Sequence, residues 1–80
     1  MENKINQIKL SIIMPIYNES SLLPAVFERF TALVNQLPDS CGIIQSEIEL
    51  IFVNDGSTDH SLSQLIAFVN KTEYATCINL

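Results

Sequence analysis

One stretch narrows the possible folds of this chain more than any other: Ile48-Glu49-Leu50-Ile51-Phe52-Val53-Asn54-Asp55-Gly56-Ser57-Thr58-Asp59. An apolar run stops abruptly in a small, polar, acidic turn. From 50 to 53 the side chains are apolar at consecutive positions, so both faces of an extended segment are oily. That is the habit of a parallel strand buried on two sides. The turn then presents carboxylates at the strand's carboxyl end. Asp-Gly is a standard turn pair, and Ser57, Thr58 or Asp59 can cap a helix that follows.

An earlier copy of the same device lies upstream. Residues 10–16 form a first strand, apolar at Ile12, Ile13, Met14 and Ile16. Pro15 has no N–H to give to a ladder, so regular pairing is expected to stop about there. Tyr17-Asn18-Glu19-Ser20-Ser21 reads as a loop, with Ser20 or Ser21 as the cap of a first helix. Pro24 fits a first turn, whose amides have no intrahelical partner. Leu23, Val26, Phe27, Phe30, Leu33, Val34 and Leu37 recur at steps of three and four, one apolar stripe over four turns. Pro38 is expected to end that helix, and residues 38–46 to form a surface connection. A second helix carries Leu62, Leu65, Ile66 and Val69, and residues 75–80 form a third strand.

The order β-α-β-α-β with short connections predicts an α/β fold with a parallel sheet and right-handed crossovers. Crossovers of one hand, progressing in one direction, put both helices on one sheet face. The strands are apolar on both faces, so an oily face and an unpaired edge are left over. The expectation is an incomplete unit: the first part of a larger domain spanning residues 9–80 after a frayed lead-in at 1–8, or a module whose open face a partner chain covers.

Composition excludes several roles. With 80 residues there is room for one small domain, and 48% apolar content supports a core over disorder. A net charge of −5 with only four basic residues disfavours nucleic acid and anionic membranes as partners. Cys41 and Cys77 stand at no metal-ligand spacing and make no disulfide framework. The first eight residues have no apolar signal core, and no run approaches the ~20 apolar residues of a spanning helix. Together these features point to a cytoplasmic setting with reduced thiols. The sequons Asn18-Glu19-Ser20 and Asn70-Lys71-Thr72 are read as chance matches for that reason.

In open α/β sheets ligands bind beyond the carboxyl ends of the strands. Two loops fall there, 17–19 and 54–59. If their strands are neighbours, one aromatic ring, the carboxylates of Glu19, Asp55 and Asp59, and several hydroxyls share a crevice. Gly56 permits a tight turn or close backbone approach. Such a crevice suits a nucleoside: the ring packs on a base, and carboxylates accept from base N–H and ribose hydroxyl groups. A bare pyrophosphate would be repelled. Other motifs are absent or incomplete. The chain has only Gly42 and Gly56, so it holds neither G-x-G-x-x-G nor a Walker loop. The D-x-D-G-T signature of haloacid-dehalogenase phosphatases would need an aspartate where Val53 stands. His60, alone at a helix start, is expected to be exposed.

Two motifs in register resemble a known family. Ser11-Ile12-Ile13-Met14-Pro15-Ile16-Tyr17-Asn18-Glu19 is similar to the opening strand of family 2 glycosyltransferases, often hSVVIPVYNE. Phe52-Val53-Asn54-Asp55-Gly56-Ser57-Thr58-Asp59 is similar to their second signature, commonly VDDGSTD. The resemblance covers nearly the whole chain. Among subfamilies it looks most similar to polyprenyl-phosphate hexosyltransferases of the bactoprenol glucosyl and dolichol-phosphate mannosyl types. It implies the start of a Rossmann-like nucleotide-diphospho-sugar transferase domain. It also implies a UDP- or GDP-hexose donor and a polyprenyl phosphate acceptor. By the same resemblance Pro15, Tyr17, Asn18 and Glu19 line the nucleoside pocket, Asp55 bonds the base, and Gly56 and Ser57 shape the turn.

The family's D-x-D motif, which holds Mg²⁺ or Mn²⁺ on the diphosphate, and its catalytic base are expected after a fourth strand. Neither lies within these residues, so no catalytic or metal-ligating residue is assigned here. The chain alone is expected to transfer no sugar. The alternative is a non-catalytic α/β interaction module that docks through its exposed sheet face.

Overall fold

The computed structural model describes residues 7–80, so the expected lead-in at 1–8 lies largely outside the described residues. The element order is β1 (Leu10–Ile16), α1 (Leu23–Cys41), a short 3-10 turn (Gln45–Glu47), β2 (Ile48–Asn54), α2 (Ser61–Asn70) and β3 (Ala75–Asn79). The strands form one parallel sheet in the order β1-β2-β3. Leu10 lies opposite Ile48 and Ile16 opposite Asn54; Leu50 lies opposite Ala75 and Asn54 opposite Asn79. This is the expected Rossmann-like β-α-β-α-β arrangement.

Both helices cover the same face. Ile16, Leu50, Phe52 and Ala75 from the strands meet Leu23, Leu65 and Phe68 from the helices in one buried cluster. Phe52 is its centre, edge-on to Phe27, Phe30 and Phe68 at centroid distances of 5.7, 6.2 and 6.0 Å. Phe27 and Phe68 stack in parallel at 4.3 Å. Edge-to-face and offset contacts of this kind add to plain area burial. A second small cluster, Val34, Leu37 and Ile48, closes the amino-terminal end of the sheet.

The other face is open, as the strand pattern requires. Ile13 is 66% exposed and Ile78 45% exposed, while Ile51 and Val53 are half-buried. Among the described residues β1 is an edge strand and β2 alone is central, so apolar side chains on both parities did not by themselves make β1 central.

Four local expectations need correction. β1 pairs through Pro15, which lies opposite Val53. The Asp55 N–H donates to the Ile16 carbonyl at 3.0 Å, so Ile16 faces β2 and the alternate residue Pro15 turns its nitrogen to the outer edge. There the missing N–H breaks no rung. Pro38 sits inside α1 instead of ending it. Its lost N–H falls in the last turn, and the helix ends at Gly42, whose positive φ of 76° lets its N–H reach the Pro38 carbonyl at 3.1 Å.

Neither Ser20 nor Ser21 caps α1. The Leu22 and Leu23 N–H groups both donate to the Glu19 carbonyl, at 2.9 and 3.1 Å, so a backbone turn does that work. On α2 the buried side chains are Ser61, Leu65 and Phe68, with Ile66 exposed. The helix is rotated relative to its expected stripe because the Phe68 ring stacks on Phe27 and meets Phe52 edge-on.

Candidate functional site

Because β1 and β2 are parallel neighbours, their carboxyl-end loops lie side by side, as the paired motifs anticipate. Three consecutive amides of the first loop donate to side chains beyond β2. The Asn18 N–H reaches Ser57 Oγ at 3.0 Å, the Glu19 N–H reaches Ser61 Oγ at 3.0 Å, and the Ser20 N–H reaches Asp59 Oδ2 at 3.1 Å. Two bonds return: the Thr58 N–H donates to Asn18 Oδ1 at 2.8 Å, and the Thr58 hydroxyl donates to the same oxygen at 3.4 Å. Gln64 Nε2 donates to the Ser20 carbonyl at 3.1 Å and ties α2 to the same loop.

The backbone here takes two left-handed turns, at Asn18 (φ 50°) and Gly56 (φ 74°). Glycine tolerates that region freely, and asparagine is among the few other residues that visit it. At Asn18 the conformation also brings the side-chain carbonyl back over the Thr58 amide.

Asp59 acts as an Asx-type cap, its Oδ1 accepting the Ser61 N–H at 2.9 Å. Hydrogen bonding, first from Ser61 and then also from the Ser20 amide, holds its carboxyl below the usual aspartate range. His60 is exposed, as expected.

The sequence-selected residues fall into three sets. Tyr17, 61% exposed, the exposed Asp55 and the half-buried Glu19 lie on the two linked loops. No hydrogen bond to any of these three side chains is present among the described residues. Asn18 and Ser57 are engaged in linking the loops. Pro15 is exposed at the end of β1, and Gly56 supplies the turn.

Sequence reasoning missed Ser61, whose hydroxyl is fully buried and receives the Glu19 amide, and it missed the role of Asn54. Asn54 is 1% exposed; its Nδ2 donates to Asn79 Oδ1 at 2.8 Å, and its own Oδ1 is buried without a partner. Asn54 has the parity of Leu50 and Phe52, so its position on the helix-covered face could have been foreseen from the strand alone.

Apart from these loops, a groove of about 660 Å³ runs between α1 and α2 over Phe27 and Phe68. Glu28, Thr31, Asn35, Gln64 and Lys71 line it alongside the two rings. Among the described residues no group of three or more His, Cys, Asp or Glu side chains stands ready to hold a metal ion. A divalent cation does not fit the residues present, and no step is derived through one. No helix among the described residues is long and apolar enough to cross a membrane.

A parallel α/β unit with its polar loops gathered at the carboxyl ends of adjacent strands belongs to the open-sheet, Rossmann-like class. More narrowly, the model of glycosyl transferase family 2 matches residues 11–79, and the chain belongs to that family. It is similar to the undecaprenyl-phosphate 4-deoxy-4-formamido-L-arabinose transferases of Yersinia pestis (strain Pestoides F) and Yersinia pseudotuberculosis serotype I. Each is 40% identical over 65 residues, which cover 81% of this chain and 18% of the relative. The chain thus spans less than a fifth of the length of these relatives.

Proposed function

We propose that this chain is the nucleoside-binding portion of a glycosyltransferase that moves a sugar from a nucleotide-diphosphate sugar to an acceptor; the relatives' names carry an arabinose derivative in place of the expected hexose. The relatives' names support a polyprenyl phosphate as that acceptor. One observation carries the reading: Tyr17, Glu19 and Asp55 lie on two loops that hydrogen bonds hold side by side, and among the described residues none of the three side chains has a hydrogen-bond partner. An aromatic face and two carboxylate acceptors match a base and its ribose. Asp55 accepts from base N–H groups, Tyr17 covers the ring, and Glu19 faces the sugar hydroxyls. Pro15 bounds the pocket from the end of β1.

Sugar transfer needs more than this. The diphosphate's charge must be compensated as it leaves, and the acceptor's phosphate oxygen, already ionised, must be held against the sugar's anomeric carbon. Residues 9–80 are assigned to the first part of the domain, and these 80 residues alone transfer no hexose. Mg²⁺ or Mn²⁺ belongs to the whole-protein reaction, with ligands outside this chain. Calorimetric titration with UDP and with GDP tests the reading. Binding to one of them, abolished in Asp55→Ala while the thermal melt is kept, is the expected result. A folded chain indifferent to both nucleotides sinks it.

The open sheet face favours a second reading, a non-catalytic module that docks through Ile13, Ile51, Val53 and Ile78. A stable stoichiometric complex of Asp55→Ala with a partner chain, lost in Ile13→Lys, would support it.

A further inference from the structure

We infer that Asn18, Ser57, Asp59 and Ser61 are positioning residues, which staple the two loops together and set the placement of Tyr17, Glu19 and Asp55. The inference rests on the nucleoside reading above for what is being positioned. The staple itself rests on geometry alone.

The three successive amides of residues 18–20 are each taken by a different side chain, Ser57 Oγ, Ser61 Oγ and Asp59 Oδ2. These bonds come from outside the sheet ladder, so they fix the loops beyond the point where strand pairing ends. The return bond from the Thr58 N–H to Asn18 Oδ1 closes the link from the other side. Asp59 also holds the Ser61 amide, so one carboxylate joins the first loop to the start of α2.

Two consequences follow. First, the Asn18 carbonyl oxygen and the Ser57 hydroxyl already have protein partners, unlike the carboxylates of Glu19 and Asp55. Second, the amides of residues 18–20 are spent on Ser57, Ser61 and Asp59, so they cannot cradle an anion. The carboxylates of Glu19 and Asp55 stay available to accept from N–H and O–H donors of a ligand. Holding those acceptors in place before binding lowers the ordering cost of association.

The test uses the full chain and needs no ligand in its first arm. Site-resolved amide exchange by NMR should find the Asn18, Glu19 and Ser20 amides protected. Ser57→Ala, Ser61→Ala and Asp59→Ala should each speed exchange at the matching amide by roughly 3- to 10-fold, the size expected for one net hydrogen bond. Ser61 is buried; should its variant fail to fold, the half-buried Ser57 and the exposed Asp59 report in the same way. Unchanged exchange in these variants overturns the staple.

The second arm titrates UDP and GDP. Asn18→Gly keeps the left-handed turn but removes the acceptor, and should weaken binding severalfold. Asn18→Asp keeps an acceptor for Thr58 and should restore it. A ligand contact through the Asn18 amide nitrogen would instead make Asp as damaging as Gly, and that outcome overturns the positioning role. A wild-type chain that binds neither nucleotide, yet shows the protected amides, defeats the nucleoside reading and leaves the staple standing.

Discussion

On one face of the sheet Ile16, Leu50 and Phe52 lie buried beneath two helices; on the other Ile13, Ile51, Val53 and Ile78 meet no covering element among the described residues. The side chains are alike in kind, and they sit on the same strands one residue apart. Strand composition therefore decides that a segment is extended and oily on both sides, but connection hand decides which side is covered. Two right-handed crossovers taken in the same direction lay α1 and α2 on a single face.

The contrast can be broken first at Phe52. Phe52→Ala removes a fully buried ring that touches three other aromatics, and should cost about 3–5 kcal/mol in a urea melt. For a chain of this size that is a large part of a typical ~5–15 kcal/mol stability, so extensive unfolding is expected. A loss below ~1 kcal/mol would mean that the covered face is not the core. Ile51→Ala, on the open side of the same strand, sharpens the comparison. In the chain alone it should cost no more than about 1 kcal/mol, well below the ~2–5 kcal/mol of a buried isoleucine. If a partner covers that face, adding the partner should raise the cost into the buried range.

Ile13→Thr should fall within about 0.5 kcal/mol of the parent, since the side chain is mostly in water already. A costlier change would show that the chain self-associates through this face, and sedimentation of the two forms would reveal it directly.

The smallest effect expected is one of pH. Hydrogen bonds lower the Asp59 carboxyl below its ordinary value, and Lys9 at 3.0 Å, then the Ile44 amide, do the same for Glu47. A depressed folded value means a contribution that is fully present above the unfolded values of about 3.9 and 4.3. It is lost as pH falls through the folded values, below that range. Protection of the Ser20 and Ile44 amides, after correction for the intrinsic rise of exchange with pH, should fall only under such acid conditions. A fall in protection between pH 5 and 7 would contradict the sign.

Much of the fold was legible before the structure. The α1 stripe and the doubly apolar strands led to the β-α-β-α-β order, the parallel sheet and the exposed face. The misreadings share a cause: they turned on which way a group points. Pro15 is harmless because its nitrogen faces outward, and Pro38 because it falls in a last turn that Gly42 completes. Ile66 and Phe68 exchanged roles because the ring of Phe68 finds a parallel partner in Phe27.

At the candidate site the adjacency of the two loops was readable from paired motifs. Their cross-linking was not, because side-chain-to-amide bonds between residues about 40 positions apart leave no periodic trace. Ser57 and Ser61 look alike on paper, yet one is half-exposed and the other sealed.

Pro15 carries one more consequence. An unpaired sheet margin is a template on which a stray strand can crystallise, and many proteins guard theirs with charge or kinks. Here the outward-facing donors of β1 run through Ser11 and Ile13 and then stop, because the next outward position has no hydrogen to give. A strand zipping along that margin would lose its grip one step short of Tyr17. Among the described residues the Pro15 ring thus sets the end of what that margin can pair.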